Sequence, residues 1–312
     1  MQSYLKALAS AALLAAVFTP MAHAAPPPPA QTQWSDITEV VVRARARGPA
    51  MWKLTRGDAV VWVLGVMDVK PNELDWNSNH FRRVLQGAKV LILPRESDWD
   101  PTNSDLPKHV QLPDVITAAL WKRFETRTMN EGFSDTTYIH YKPVWAGARL
   151  MSDVIDEHDI SDHIIPDKIT ELAQAEGVTV QPLQRDDAQT MLRLYDTLDA
   201  QSSEACLSDY LDSIDYLLTA MPRVTQAWAR GDLKTVMRDH RELGYTTCIM
   251  SDPASAALYS SYAIDNMKAA VDDALKTPGK SVAVWPLSDL LRKDGVLDQL
   301  RAEGVVITSP AS

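Results

Sequence analysis

The clearest hydrophobic pattern in the chain opens at Trp52, where apolar and polar residues alternate. Turn residues follow at positions 56–58, and a denser apolar run then spans residues 59–64. Two β-prone runs joined by turn residues predict a β-hairpin. The second run stops at Gly65, a helical pattern follows, and residues 90–93 have the composition of a buried strand. This part of the chain therefore predicts the order strand, strand, helix, strand.

Beyond residue 115, apolar residues recur mostly at intervals of three and four, which is the spacing of amphipathic helices. Helices are predicted at residues 115–124, from 146 onward, at 166–177, through 186–241, at 254–275 and at 287–300, and strands at 178–183, 281–285 and 305–308. Strands thus cluster near both chain ends. The pattern predicts one α/β domain, with a β-sheet core built from the N- and C-terminal parts of the chain and a largely helical middle section.

The first 24 residues have the pattern of a secretory signal peptide. Lys6 precedes an apolar run at residues 7–18, and the small-residue triplet Ala22-His23-Ala24 follows. This order predicts a signal peptide at residues 1–24 that is cleaved after Ala24. No later stretch approaches the roughly 20 apolar residues that a membrane-spanning helix needs. We therefore expect a mature protein without a transmembrane anchor, periplasmic or secreted.

Residues 25–48 are expected to form a Pro-rich linker or arm. Four consecutive prolines at residues 26–29 favour an extended spacer, and a β-prone run follows at residues 36–43. Such a run resembles peptides that exported proteins donate as a strand to a partner in the envelope. The favoured alternative is an arm that lies on the protein's own sheet or stays disordered, because short β-prone runs are common near termini.

The chain is acidic. Its net charge is −10, and since Lys6 is the only charged residue of the predicted signal, cleavage would leave −11. An acidic surface repels phosphate backbones and anionic lipid headgroups. We therefore do not expect nucleic acid as a partner. The expected partner is an unidentified envelope protein or peptide.

The chain has two cysteines, Cys206 and Cys248. Disulfides persist in the periplasm and outside the cell but rarely in the cytosol. Export therefore predicts a bond between Cys206 and Cys248. Two separate buried thiols remain the alternative, because spacing in the sequence does not give the distance between their Cα atoms.

Several short motifs, taken in order and spacing, resemble the TraB/GumN family, which includes the TIKI-type metalloproteases. These motifs are Trp52-Lys53-Leu54 leading to Leu64-Gly65, Lys142-Pro143-x-Trp145, Ala227-Trp228-x-x-Gly231-Asp232, and Asp294-Gly295 continuing to Gly304. The resemblance covers about residues 51–307, so a TraB/GumN-like domain is expected at residues 49–312.

The resemblance implies a hydrolytic metal site built from two Gly-x-x-His motifs at strand ends, a Glu on a later strand and an Arg-Asn pair on a late helix. Here the first motif is Gly65-Val66-Met67-Asp68 and the second is Trp285-Pro286-Leu287-Ser288. Pro94 stands at the Glu position, with Glu96 two residues on, and the Arg-Asn pair is Asp265-Asn266. Almost every ligand that the resemblance implies has been replaced.

Two hypotheses follow. The favoured one is a non-catalytic member, a pseudoenzyme that keeps the fold for binding or scaffolding in the cell envelope and needs no cofactor. The alternative is a metal-dependent hydrolase or peptidase in which Asp68, Glu96, Asp265 and Asp289 hold a hard divalent ion such as manganese or calcium, with Asn266 and Ser288 as further candidates. Four histidines, His80, His109, His140 and His240, are isolated in the sequence, so only the fold could bring them to a site.

Overall fold

The computed structural model describes residues 48–72, 74–94, 106, 108–161, 167–183, 193 and 195–310. These residues do not include the predicted signal peptide, the arm with its β-prone run at 36–43, Glu96, or positions 186–192 of the predicted helical section. The described residues all fall within one compact unit of the chain.

The predicted hairpin is confirmed. Strand β1 (Met51–Arg56) and strand β2 (Ala59–Val66) pair antiparallel, with Leu54 opposite Val61. Gly57 lies in the turn between them with a φ of 57°, a left-handed conformation that glycine adopts without steric cost. Alternating side chains of β1 and β2 thereby reach the core.

The described sheet has six strands, of which five come from the N- and C-terminal parts of the chain as predicted and one, β6, comes from its middle. Further strands are β3 (Lys70–Pro71), β4 (Val90–Leu93), β5 (Ile160–Ser161), β6 (Thr179–Pro182), β7 (Gly279–Pro286) and β8 (Val306–Thr308). The order is β6-β4-β7-β2-β1-β8, and β3 pairs separately with β5. The neighbours β6, β4, β7 and β2 run parallel, whereas β1 is antiparallel to both β2 and β8.

The middle of the chain is largely helical, which confirms the predicted α/β class. The described helices are α1 (Asn79–Leu85), α2 (Leu112–Val115), α3 (Ala118–Asn130), α4 (Pro143–Glu157), α5 (Asp167–Ala175), α6 (Ala200–Thr219), α7 (Met221–Ala229), α8 (Leu233–Asp239), α9 (Gly244–Ser251), α10 (Pro253–Tyr259), α11 (Asn266–Ala274), α12 (Leu287–Leu291) and α13 (Val296–Ala302). Among these, no helix combines the length and the apolar composition needed to cross a bilayer.

The helix predicted at residues 115–124 begins later than expected, because Thr117 caps the N-terminus of α3. The Leu120 amide donates a hydrogen bond to the Thr117 hydroxyl over 3.4 Å, and the helix continues to Asn130. Asp232 caps the N-terminus of α8 in the same way. Its carboxylate accepts a hydrogen bond from the Thr235 amide at the start of α8.

The single helix predicted at residues 287–300 is wrong. The chain instead forms α12 and α13, separated by a turn in which Asp294 has a left-handed φ of 57°. Gly295 is required in this turn, since a Cβ there would lie 2.7 Å from the Arg292 carbonyl oxygen. Apolar spacing continues across the turn, which is why the pattern suggests one helix.

The helix predicted at residues 254–275 is interrupted. A π-helical segment (Ser260–Asp265) separates α10 from α11. A π-helical turn changes the local residue count per turn, which the apolar spacing of the sequence does not reveal.

The predicted disulfide is present. Cys206 on α6 and Cys248 on α9 are bonded, with their Cα atoms 5.0 Å apart and both side chains buried. The bond links α6, the longest described helix, to α9, which lies in the part of the chain between α6 and β7.

Candidate functional site

The carboxyl ends of β2 and β7 bring the two halves of the candidate site together. The two strands are parallel neighbours in which Gly65 pairs with Trp285 and Val66 with Pro286. Asp68 and Ser288 each lie two residues beyond the last pair. The Ser288 hydroxyl donates a hydrogen bond to Asp68 Oδ2 over 2.8 Å, and both side chains are buried. The two positions at which the resemblance implies histidines are therefore in direct contact.

Gly65 makes the close approach of these two chain segments possible. A Cβ at this position would lie 2.5 Å from Leu287 Cδ1 and 2.9 Å from Trp52 Cζ3, which is closer than carbon atoms pack. The Gly65 carbonyl oxygen also accepts a hydrogen bond from Trp228 Nε1 over 2.7 Å. The glycine of the first motif thus has a packing role in this chain.

Trp285 stands at the glycine position of the second motif and is fully buried. Paired residues of neighbouring strands place their side chains on the same face of a sheet, so the indole shares a face with Gly65. Its Nε1 has no hydrogen-bond partner within the described part of the chain. A large apolar ring therefore fills volume beside the strand ends.

Asp289, the residue after Ser288, contacts a second set of polar side chains. Pro286 ends β7 and α12 begins at the next residue, so Ser288 and Asp289 both lie in the first turn of this short helix. The Tyr259 hydroxyl donates a hydrogen bond to Asp289 Oδ1 over 3.2 Å, and Arg292 Nη2 lies 3.7 Å from the same oxygen. The Asp289 carboxylate is therefore in contact with one hydroxyl donor and one cation.

Arg292 connects this carboxylate to another. Its Nη2 donates a hydrogen bond to Glu242 Oε1 over 2.5 Å, and both side chains are largely buried. The site thus contains three buried carboxylates and one guanidinium, an excess of two negative charges when all of them are ionised. We call Asp68, Ser288, Asp289, Arg292, Glu242 and His240 the strand-end cluster.

His240 follows the last residue of α8 and approaches Asp68. Its Nε2 lies 3.9 Å from Asp68 Oδ2, and its side chain is almost fully buried. Burial lowers the pKa of His240 to about 4, because the charged imidazolium loses hydration in the interior. The imidazole is therefore neutral at neutral pH.

The pKa of Asp68 is raised to about 7. Burial is the largest cause, followed by the charge of Asp289, with a smaller contribution of the same sign from Glu242. The hydrogen bond from Ser288 and the charge of Arg292 act in the opposite direction. Asp68 can therefore hold or release a proton close to neutral pH.

The other sequence-predicted candidates are not part of this buried group. Asp265 and Asn266 lie at the junction of the π-helical segment and α11, with exposed side chains. Glu96 is outside the described residues. Of the six candidates, the fold brings together Asp68, Ser288 and Asp289.

The strand-end cluster does not supply a complete cation site from the described residues. No group of three or more His, Cys, Asp or Glu side chains among them is arranged to hold a metal ion. Asp68 and Asp289 offer oxygen ligands, which suit Mg²⁺, Ca²⁺ or Mn²⁺. The Arg292 guanidinium, however, already provides positive charge 3.7 Å from Asp289.

Two surface cavities of the described chain lie away from the cluster. One, of about 500 Å³, is lined by residues that include Tyr138, Arg149 and Asp153. The other, of about 370 Å³, lies between α3 and α6 beside Arg123 and Asp215. Neither cavity is lined by a residue of the strand-end cluster.

Of four polar residues that surround Asp68 and Asp289, sequence reasoning missed three and named the fourth, His240, only as a histidine that the fold could bring to a site. His240, Glu242, Arg292 and Tyr259 come from three separate segments, and no motif connects them. One signal was available. His240-Arg241-Glu242 is a polar triplet between helical patterns, where functional residues often lie.

Comparison with known proteins identifies a family. The model of the TraB/PrgY/gumN family matches residues 50–309, which is most of the chain. No curated protein and no solved structure matches the chain.

Proposed function

Because the chain belongs to the TraB/PrgY/gumN family, we propose that it is an exported, non-catalytic member that uses the family fold for binding or scaffolding in the cell envelope. The observation that carries this proposal is the hydrogen bond between Ser288 and Asp68 at the ends of β7 and β2. Histidines are expected at both positions by resemblance to the metalloproteases. Here Ser288 and Asp68 stand at these positions and form a hydrogen bond with each other.

Ligand chemistry supports the same conclusion. Imidazole nitrogens suit zinc and other transition metals, whereas a set of carboxylate oxygens without imidazole suits hard ions such as Mg²⁺, Ca²⁺ and Mn²⁺, and a serine hydroxyl is a poor metal ligand. His240 is the imidazole nearest to Asp68, and it reaches the site from α8 rather than from a motif position. Asp289 already contacts Tyr259 and Arg292.

Export is supported by the sequence and by the disulfide. Residues 1–24 have the order of charge, apolar run and small residues that signal peptidases act on. The Cys206–Cys248 bond is of the kind that persists in oxidising compartments. An acidic mature chain favours a protein or peptide partner in the envelope over nucleic acid.

The test combines metal content with activity. Protein purified from the exported fraction is equilibrated with manganese, calcium, zinc or cobalt, desalted, and analysed by elemental mass spectrometry. We expect less than stoichiometric metal and no metal-dependent cleavage of an unfolded protein substrate. The matched control is Asp68→Asn/Asp289→Asn, which should give the same values as the native chain. Stoichiometric metal and cleavage that both disappear in this variant would overturn the proposal.

A second candidate is a metal-dependent hydrolase or peptidase with a rebuilt carboxylate site. The specific observation in its favour is the accumulation of Asp68, Asp289 and Glu242 at the strand ends, together with a pKa of about 7 for Asp68. Buried carboxylates in excess over cations are what a hard divalent ion neutralises. Such an ion would activate a water for hydrolysis. The same experiment separates the two candidates.

A further inference from the structure

The cavity between α3 and α6, which we call the α3–α6 groove, has a volume of about 370 Å³. Six residues of α3 line it at intervals of three and four, the spacing of one helix face, and Lys122, Arg123 and Arg127 are among them. From α6, the buried side chain of Leu211 and the half-exposed carboxylate of Asp215 complete the lining. Its volume falls within the range of ligand pockets, roughly 300 to 1,000 Å³.

The lining of the groove is positively charged, although the chain as a whole is acidic. Lys122, Arg123 and Arg127 contribute three positive charges and Asp215 one negative charge, which gives the lining a net charge of +2. The net charge of the whole chain is −10. Lys122 is exposed, and the side chains of Arg123 and Arg127 are 36% and 22% exposed. An anionic group that enters the groove therefore meets cations that solvent also reaches.

Carboxylates hold the two guanidinium groups of the groove in place. Arg123 Nη2 donates hydrogen bonds to Asp212 Oδ1 over 2.6 Å and to Asp215 Oδ2 over 3.0 Å. Arg127 Nη1 donates to Glu131 Oε1 over 2.8 Å, and its Nη2 donates to Asp215. Each guanidinium has five N–H donors, more than these contacts use. The arginines are thus oriented before an anion binds, which lowers the entropy cost of binding.

Asp215 is the one carboxylate of the lining, and it accepts hydrogen bonds from both arginines. Its side chain is 48% exposed. Ion pairs between exposed side chains contribute little to stability, so a carboxylate from another molecule can share these donors with Asp215 at a small cost. A carboxylate suits an arginine because its two oxygens can accept two parallel hydrogen bonds.

We propose that the α3–α6 groove binds a carboxylate-bearing segment of an acidic protein or peptide. This assignment rests on the proposed binding role of the protein, and it names the chemistry of the partner. An anionic lipid surface fits less well, because a broad surface would also approach the acidic remainder of the chain. A short peptide segment meets only the groove, since charges farther than about 10 Å away are screened at about 0.1 M salt.

The test measures binding of a fluorescently labelled hexaglutamate peptide to the full exported chain by fluorescence anisotropy, with hexaglutamine as the uncharged comparison. Lys122→Glu reverses a charge of the groove. Its matched control is Lys234→Glu, at an exposed position of α8 that lines neither cavity. Ala119→Trp fills the groove without a change of charge. Its matched control, Ala118→Trp, adds the same side chain at the neighbouring exposed position, outside the lining.

We expect hexaglutamate to bind, hexaglutamine not to bind, and the affinity for hexaglutamate to fall as salt increases. Lys122→Glu and Ala119→Trp should each raise the Kd for hexaglutamate at least about tenfold, and both controls should leave it within about twofold. Equal weakening by Lys122→Glu and Lys234→Glu would overturn the proposal, because the attraction would then be non-specific. Binding that is unchanged in Ala119→Trp, or no binding of hexaglutamate at all, would also overturn it.

Two further probes separate the peptide from other anions. Inorganic phosphate that binds as tightly as hexaglutamate would overturn the peptide assignment, as would binding to phosphatidylglycerol vesicles that Lys122→Glu abolishes. None of the substituted positions belongs to the strand-end cluster, so metal content and cleavage in every variant should match the native chain. A failure of peptide binding is therefore distinguishable from a failure of the proposed function.

Discussion

At the scale of single residues, Asp68 and His240 make opposite contributions to the pH dependence of stability. The pKa of Asp68 is about 7 in the folded protein against an ordinary value of 3.8, so between about pH 4 and pH 7 the folded state holds a proton that the unfolded state has lost. Its contribution to stability therefore falls as pH rises through that window. The pKa of His240 is lowered from 6.5 to about 4, so its contribution falls as pH decreases from about 6.5 to 4.

The substitution Asp68→Asn isolates the contribution of the Asp68 carboxyl group to the pH dependence of stability. An amide resembles the protonated carboxyl in shape, can accept the Ser288 hydrogen bond and does not titrate. We therefore expect the stability of the variant, relative to the native chain, to increase as pH rises from about 4 to 7 and to level off above 7. Urea unfolding at a series of pH values measures this difference. The matched control is Asp265→Asn, which removes a carboxylate at an exposed position. A difference independent of pH would contradict the raised pKa.

Sequence reasoning reached part of the site for an identifiable reason. The resemblance singled out positions 68 and 288; each follows a strand, and because the ends of neighbouring parallel strands meet at one edge of a sheet, the fold brings Asp68 and Ser288 into contact. Their neighbours His240 and Glu242 depend on how α8 and α9 pack over that edge. Such packing is a property of the whole chain, which local patterns do not specify.

At the scale of elements, local signals predicted the hairpin and the helix-to-strand unit at α5 and β6. The hairpin depends on period-two spacing and turn residues, and α5 is followed by Gly177 with a left-handed φ of 68°. The break between α12 and α13 was missed because it depends on the backbone of Asp294, a residue type that tolerates a left-handed conformation without requiring it.

The disulfide between α6 and α9 leads to a prediction about the free energy of unfolding. Replacing both cysteines with Cys206→Ser/Cys248→Ser should lower the free energy of unfolding by roughly 4 kcal/mol, because a bond closing a loop of 42 residues restricts the unfolded chain. Urea unfolding monitored by circular dichroism measures the loss. Each single substitution should cost about as much as the pair, since either one already breaks the bond. A double variant as stable as the native protein would contradict this account.

At the scale of the whole molecule, the sheet joins sequence-distant segments, since β1 and β2 pair with β8 and β7. Contacts between distant segments slow folding, because a long loop must close before they form. An exported chain folds in the compartment where its disulfide can also form. The fold and the predicted signal peptide are therefore consistent with folding after export.

The predicted processing is directly testable. The exported protein should begin at Ala25 and carry a net charge of −11, since Lys6 leaves with the signal. Mass spectrometry of the intact protein, before and after reduction and alkylation, measures the N-terminus and the disulfide together. The variant Ala22→Glu/Ala24→Glu, which replaces the small residues at the cleavage site, should retain the leader. A native chain that keeps Met1 and two freely alkylated thiols would contradict export.

The register between β2 and β7 also constrains how this sequence can change over evolutionary time. It places positions 68 and 288 side by side, although they are 220 residues apart in the sequence, and a buried hydrogen bond links them. Replacing either residue alone by one that cannot form this hydrogen bond leaves a buried polar group unsatisfied, which costs about 1–3 kcal/mol. Substitutions at these two sites should therefore be inherited in pairs. In an alignment of related chains, the residues found at the two sites should covary, with few sequences carrying one half of the pair.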